Sequence, residues 1–143
     1  MQSAPDTLVT TLRDALAEGP ALRLALLFGS SARGRARPDS DVDLGILPID
    51  PELPLHVELR LQARLERACG RPVQLVRLDH GSTLLKWEAA RHGITVVARS
   101  RADHVRFVAQ AALEYAEFAP ALERAGAAFH RRLLEAAGPT ETR

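Results

Sequence analysis

Two short runs carry the residues of this chain best suited to chemistry: Leu26-Leu27-Phe28-Gly29-Ser30 and, ten residues further on, Asp41-Val42-Asp43-Leu44. The first reads as a strand feeding a Gly-Ser turn, the second as a strand that opens on two carboxylates one residue apart. Side chains alternate along a strand, so Asp41 and Asp43 share a face, about 7 Å apart at ~3.3 Å per residue. Carboxylate oxygens at that separation suit Mg²⁺, which takes one or two carboxylates and completes its shell with water and phosphate. Gly29 allows the backbone to approach an anion closely, and Ser30 stands where a short helix would point N–H groups at it. A phosphate cradle beside a cation site implies a nucleoside triphosphate as ligand.

The elements that must position these residues can be read outward from them. Residues 21–28 are apolar except for Arg23, which predicts a central strand covered on both faces. A helix over 6–18 precedes it, capped by Asp6, striped by Leu8, Leu12 and Leu16, and stopped at Gly19-Pro20. Strand 41–47 turns Val42, Leu44 and Ile46 away from the acidic face. Asp50-Pro51-Glu52 predicts a helix opening, with the helix running to Ala68 or Cys69 and ended by Gly70. A third strand over 72–78, a helix over 82–92 closed by Gly93, and a fourth strand over 94–98 follow. Ser100 with Asp103 forms a capping-box start for a helix to Ala119, which Pro120 is expected to break before a last helix to about Ala137. Alternating strands and helices predict an α/β chain of one domain, with residues 100–143 as a helical extension.

Composition narrows the function classes. A hydrophobic share of 46% beside 26% charged residues is that of a soluble globular protein, and the net charge of +1 carries no global signature for nucleic acid or a membrane surface. No apolar run approaches the roughly 20 residues that span a bilayer, and no signal-peptide pattern opens the chain. A single cysteine, Cys69, excludes an internal disulfide and fits the reducing cytoplasm; its place in an apolar helix pattern makes it core filler.

The string Phe28-Gly29-Ser30-Ser31-Ala32-Arg33-Gly34, followed by Pro38-Asp39-Ser40-Asp41-Val42-Asp43-Leu44, resembles the signature of the minimal nucleotidyltransferase (MNT) branch of the polymerase-β-like nucleotidyltransferase superfamily. The resemblance covers residues 20–98 in motif and element order. It implies an α/β two-layer nucleotidyltransferase fold, a mixed sheet of about four strands flanked by helices, with a transferase domain over 1–99. It implies ATP as substrate, up to two Mg²⁺ ions, and transfer of AMP to a protein. It also implies a HEPN-type protein partner, since many MNT proteins are antitoxins of HEPN toxins, and it leaves room for a homo-oligomer. Carried over residue by residue, Gly29, Ser30 and Arg33 would hold the nucleotide, while Asp41 and Asp43 would be catalytic and bind metal. Arg35 and Arg37 are further loop cations.

One position departs from that pattern. Family members carry a third carboxylate on the next strand, in a stretch resembling Val-Asp-Leu-Val; here it reads Val73-Gln74-Leu75-Val76. The Gln74 amide can offer an oxygen to a cation but carries no charge and cannot act as a base, a loss worth roughly 10²–10⁴-fold in rate. Asp79 is the nearest substitute, five residues later and on the opposite face of a regular strand. Two readings therefore stand: an adenylyltransferase antitoxin, and a catalytically impaired nucleotide-binding protein that acts by contacting its partner.

Overall fold

The computed structural model describes residues 4–32 and 40–137. Along it run α1 (Ala4–Leu16), β1 (Leu22–Phe28), a 3₁₀ turn (Gly29–Ser31), β2 (Val42–Pro48), α2 (Leu55–Cys69), β3 (Val73–Arg77), α3 (Thr83–His92), β4 (Ile94–Ala98) and α4 (Arg101–Ala137). The strands form one open mixed sheet in the order β3-β2-β1-β4. β1 runs antiparallel to β2 and β4, whereas β2 and β3 are parallel.

The apolar run of β1 demands cover on both faces, and it has it. Leu22, Ala25 and Leu27 join Leu12 and Leu16 of α1 and Leu61 and Leu65 of α2 in one core. Leu24, Leu26 and Phe28 turn the other way and meet Leu78, Ala89 of α3 and Phe107 of α4. The sheet with α1 and α2 is the two-layer core; α3 and the first half of α4 cover the second face. Val42, Leu44 and Ile46 enter the first core as their alternation requires. Asp43, Gly45 and Leu47 are thereby left to the α3–α4 face.

Helix α1 starts at Ala4 and ends at Leu16, so Asp6, expected as its cap, lies within its first turn. Two later elements also differ from expectation. Helix α2 begins at Leu55, not at Asp50-Pro51-Glu52. The Asp50 carboxylate accepts the Glu52 N–H at 2.9 Å and closes a turn instead. Pro54, extended at φ −64 and ψ 146, bars the residue before it from helical backbone, so the helix starts only beyond it. Its end is as expected: Gly70, at φ 66, donates its N–H to the Glu66 carbonyl at 2.8 Å. The second difference is Pro120, which lies inside a continuous α4. Proline removes one backbone donor, but Ala116, four residues before it, is exposed, so water can take up the freed carbonyl. The alanine-rich flanks favour helix on both sides.

The start of α4 is held as its sequence suggests. Ser100 Oγ accepts the Asp103 N–H at 3.1 Å and donates to Asp103 Oδ2 at 2.8 Å. Trp87 stacks on Tyr115 with ring centroids 4.9 Å apart, and Lys86 pairs with Glu114 at 2.6 Å, fastening α3 to α4. Among the described residues no helix is long and apolar enough to cross a membrane. Ser100→Ala should lower stability by about 1 kcal/mol in urea unfolding, since the cap bond is lost; an unchanged midpoint would show that the cap does not hold α4.

Candidate functional site

The antiparallel register of β1 and β2 sets Phe28 opposite Asp43, so the Gly29 turn begins where that carboxylate stands. Gly29 adopts φ 71, a left-handed backbone that side chains resist. A Cβ at Gly29 would also overlap Asp43 Oδ2. Conformation and space both select glycine, and the turn backbone lies directly against the carboxylate. Asp43 is partly buried; burial, and then the negative charge of Asp41, hold its carboxyl above the ordinary range. Asp41 stands exposed just before β2, and Ser30 is exposed in the turn. The helix expected from Ser30 is here a three-residue 3₁₀ turn ending at Ser31. Arg33, with Arg35 and Arg37, lies outside the described residues.

The third position is on β3. Asp43 pairs with Gln74 across the parallel β2–β3 ladder, so Gln74 shares its face, and it is exposed. Backbone and side-chain bonds locate this strand end. Val42 N–H donates to the Pro72 carbonyl at 2.9 Å, and Val73 N–H to Glu66 Oε2 at 3.3 Å. Arg71 Nε donates to the Ser40 carbonyl at 3.0 Å, tying the residue before Asp41 to the approach of β3. Arg71 was not singled out from the sequence: its partner lies 31 positions away, and no local signal marks the pair.

Asp79 does not join the site. It follows the far end of β3, roughly 17 Å from Gln74 at ~3.3 Å per residue. There Arg77 forks onto it, Nε to Oδ1 at 2.9 Å and the terminal nitrogen to Oδ2 at 2.6 Å. Burial pushes the Asp79 carboxyl up, but the Arg77 hydrogen bonds and charge outweigh it and leave it below the usual range. His80 lies beside this pair at 3.8 Å. Among the described residues no three of His, Cys, Asp and Glu are grouped so as to hold an ion, which leaves Asp41 and Asp43 with an amide in third place. Two carboxylates, one of them partly desolvated, thus stand at the start of β2, and the Gly29 turn packs against the second.

The family described as polymerase beta, nucleotidyltransferase matches residues 10–102, a span holding Gly29, Asp41, Asp43 and Gln74. Among solved structures, a toxin–antitoxin complex with AMP-PNP contains a chain that aligns with a TM-score of 0.67 at 25% identity, covering 82% of this chain and 97% of that one. A chain from a complex of tri-AMPylated Shewanella oneidensis HEPN toxin with its MNT antitoxin aligns at 0.61 and 25% identity, covering 85% and 95%. A protein described as a minimal nucleotidyltransferase aligns at 0.53 and 31% identity, covering 63% and 93%. No curated relative matches the chain.

Two substitutions test the packing of the turn on the carboxylate. Gly29→Ala should destabilise by more than the 1–2 kcal/mol typical of left-handed backbone, because overlap with Asp43 adds to it; a loss within that range in chemical unfolding would mean that the overlap relaxes freely. Asp43→Asn should raise the melting temperature in the absence of divalent cations at neutral pH. A carboxyl whose folded pKa is raised loses stability as pH climbs from its unfolded to its folded value, and the amide escapes that loss. The gain should therefore vanish in acid; a gain independent of pH would assign it to another cause.

Proposed function

The chain belongs to the polymerase beta nucleotidyltransferase family, and from that premise we propose that it is an MNT antitoxin that binds ATP with Mg²⁺ and transfers AMP to a HEPN-type toxin in the cytoplasm. The observation that carries this reading is the seating of the Gly29 turn on Asp43 beside the exposed Asp41. Partial burial and a like-charged neighbour disfavour the ionised form of Asp43, a penalty that a divalent cation would offset, and the absent side chain at Gly29 keeps the backbone open to phosphate. Asp41 and Asp43 would hold Mg²⁺, which when bound neutralises the triphosphate. Gly29, Ser30 and Arg33 would orient the phosphates. The acceptor hydroxyl oxygen then bonds to the α-phosphorus, the bond from that phosphorus to the bridging oxygen breaks, pyrophosphate leaves, and the hydroxyl proton passes to water.

The partner assignment draws on the similar chains, whose structures are toxin–antitoxin complexes with AMP-PNP or with an AMPylated HEPN toxin. It also draws on the outer half of α4, where Phe129, Leu133 and Leu134 are exposed. An apolar face of this kind marks an interaction surface. Residues 1–99 would form the transferase domain and 100–143 an extension whose outer half meets the partner.

Gln74 favours a second reading. Paired with Asp43 and uncharged, it leaves the site without a base, and the protein would then neutralise its partner by binding alone. Incubating the chain with α-labelled ATP, Mg²⁺ and a HEPN toxin separates the two. Under the first reading label passes to the toxin and is lost in Asp41→Ala, while Gln74→Asp accelerates transfer by roughly 10²-fold or more. Tight toxin binding without transfer, and transfer gained only in Gln74→Asp, would establish the second.

A further inference from the structure

A cleft of about 290 Å³ lies at the opposite end of the sheet from Asp43, walled by Arg23 of β1, Leu47 of β2, Leu78, Lys86 of α3, and Arg106 and Phe107 of α4. It is on the same sheet face as Asp43, since Asp43, Gly45 and Leu47 alternate to that side, and it is roughly 13 Å further along β2. Leu78 separates the two places: it covers Gly45 so closely that a Cβ there would stand 2.6 Å from Cδ2 of the leucine. The cleft therefore belongs to none of the machinery around Asp43.

Its charges are unevenly matched. Three carboxylates line it, and each has its own cation: Asp79 has Arg77 at 2.6 Å, Asp103 has Arg99 at 3.0 Å, and Glu114 has Lys86 at 2.6 Å. Among the described residues Arg106 has no ion-pair partner, and Arg23 makes no bridge within 4 Å, although its charge reaches Asp103, which Arg99 already holds, so the two guanidinium groups share one carboxylate. Arg23 Nε is fully buried with no acceptor, the one buried side-chain polar atom so placed among the described residues. Burying a guanidinium donor without an acceptor is costly, and an oxyanion is the group whose geometry the guanidinium fork matches. Beside the cations the floor is apolar, formed by Leu47, Leu78, Phe107 and Ala111. The volume lies near the lower limit of small-molecule sites and suits a compact ligand rather than a nucleotide.

We infer that this cleft binds a small organic anion, its oxyanion head on Arg23 and Arg106 and its apolar body against Leu78 and Phe107. The head is a carboxylate or a phosphate, and the two are separable by titrating the full chain, free of ATP and Mg²⁺, with 4-methylpentanoate and with inorganic phosphate. Two-dimensional ¹H–¹⁵N NMR should show saturable shifts of the Arg23 Nε–Hε signal and of the Leu47 and Leu78 amides, with Gly29 and Asp43 unmoved. Response to one probe alone names the head group; response to both leaves the site selective for oxyanions in general. Arg23→Gln should abolish the response. Arg106→Gln, at an exposed position that does not endanger folding, should weaken it at least tenfold. The proposal is overturned if neither probe moves the Arg23 signal, if Arg106→Gln leaves the affinity unchanged, or if the shifts gather around Gly29 and Asp43 instead. Because no nucleotide or metal is used, the result is independent of whether the chain transfers AMP.

Discussion

The site depends on one contact, the Gly29 backbone against the Asp43 carboxylate. It exists because the β1–β2 register places Phe28 opposite Asp43, so the strand ends and the turn begins at the acidic position. That register is hard to shift: moving β1 by one residue would exchange every side chain between the α1–α2 core and the α3–α4 core. Leu24 and Leu26 on one face, and Ala25 and Leu27 on the other, are all fully buried. A core that looks remote from any chemistry is therefore what aims the turn. Gly29 is the position where that rigidity meets the candidate site, since no other residue satisfies both φ 71 and the space beside Asp43.

Electrostatics divide the α3–α4 face of the sheet into two ends of opposite character. At one end Asp43 carries a carboxylate whose charge burial and Asp41 disfavour. At the other, Arg23 carries a buried donor without an acceptor. Between them lies Leu78 over Gly45, an apolar plug that keeps the two from sharing a ligand. The remaining charges near the far end are internally settled. Arg77 holds Asp79, and Arg99 with Ser100 holds Asp103, whose carboxyl those hydrogen bonds keep below the usual range. Settled pairs serve the fold, and the unsettled groups are those on which a ligand can act.

Helix α4 is built in two parts that one backbone joins. Its first half is capped by Ser100, buries Phe107 and Ala111, and is tied to α3 through Tyr115 and Glu114. Beyond Pro120 its large apolar residues Phe129, Leu133 and Leu134 are exposed. Helical stability comes mainly from packing an apolar face, so the outer half owes its order to alanine-rich propensity. That division gives the chain a fixed body and a projecting apolar arm.

Much of this was legible in the residues alone. Strand and helix periodicity located all four strands and the ends of α2 and α3, because burial patterns and caps are properties of neighbouring positions. The Gly29-Ser30 and Asp41-x-Asp43 pattern pointed to the family for the same reason: the turn and the alternating carboxylates are local. Expectation failed where the outcome rests on competition between local signals. Asp50-Pro51-Glu52 looked like a helix start until Pro54 excluded it, and Pro120 looked like a break that the flanking alanines overcame. Other features no reading along the chain could supply. That Gln74 faces Asp43, that Arg71 anchors Ser40, that Asp79 is claimed by Arg77 at the far end, and that the Nε of Arg23 is buried without an acceptor are all settled by which strands lie side by side. The sequence by itself determined the elements and the chemistry of the turn, since both are written in short-range spacing. Only the tertiary structure decided which charges meet, because electrostatic partners are chosen by distance in space.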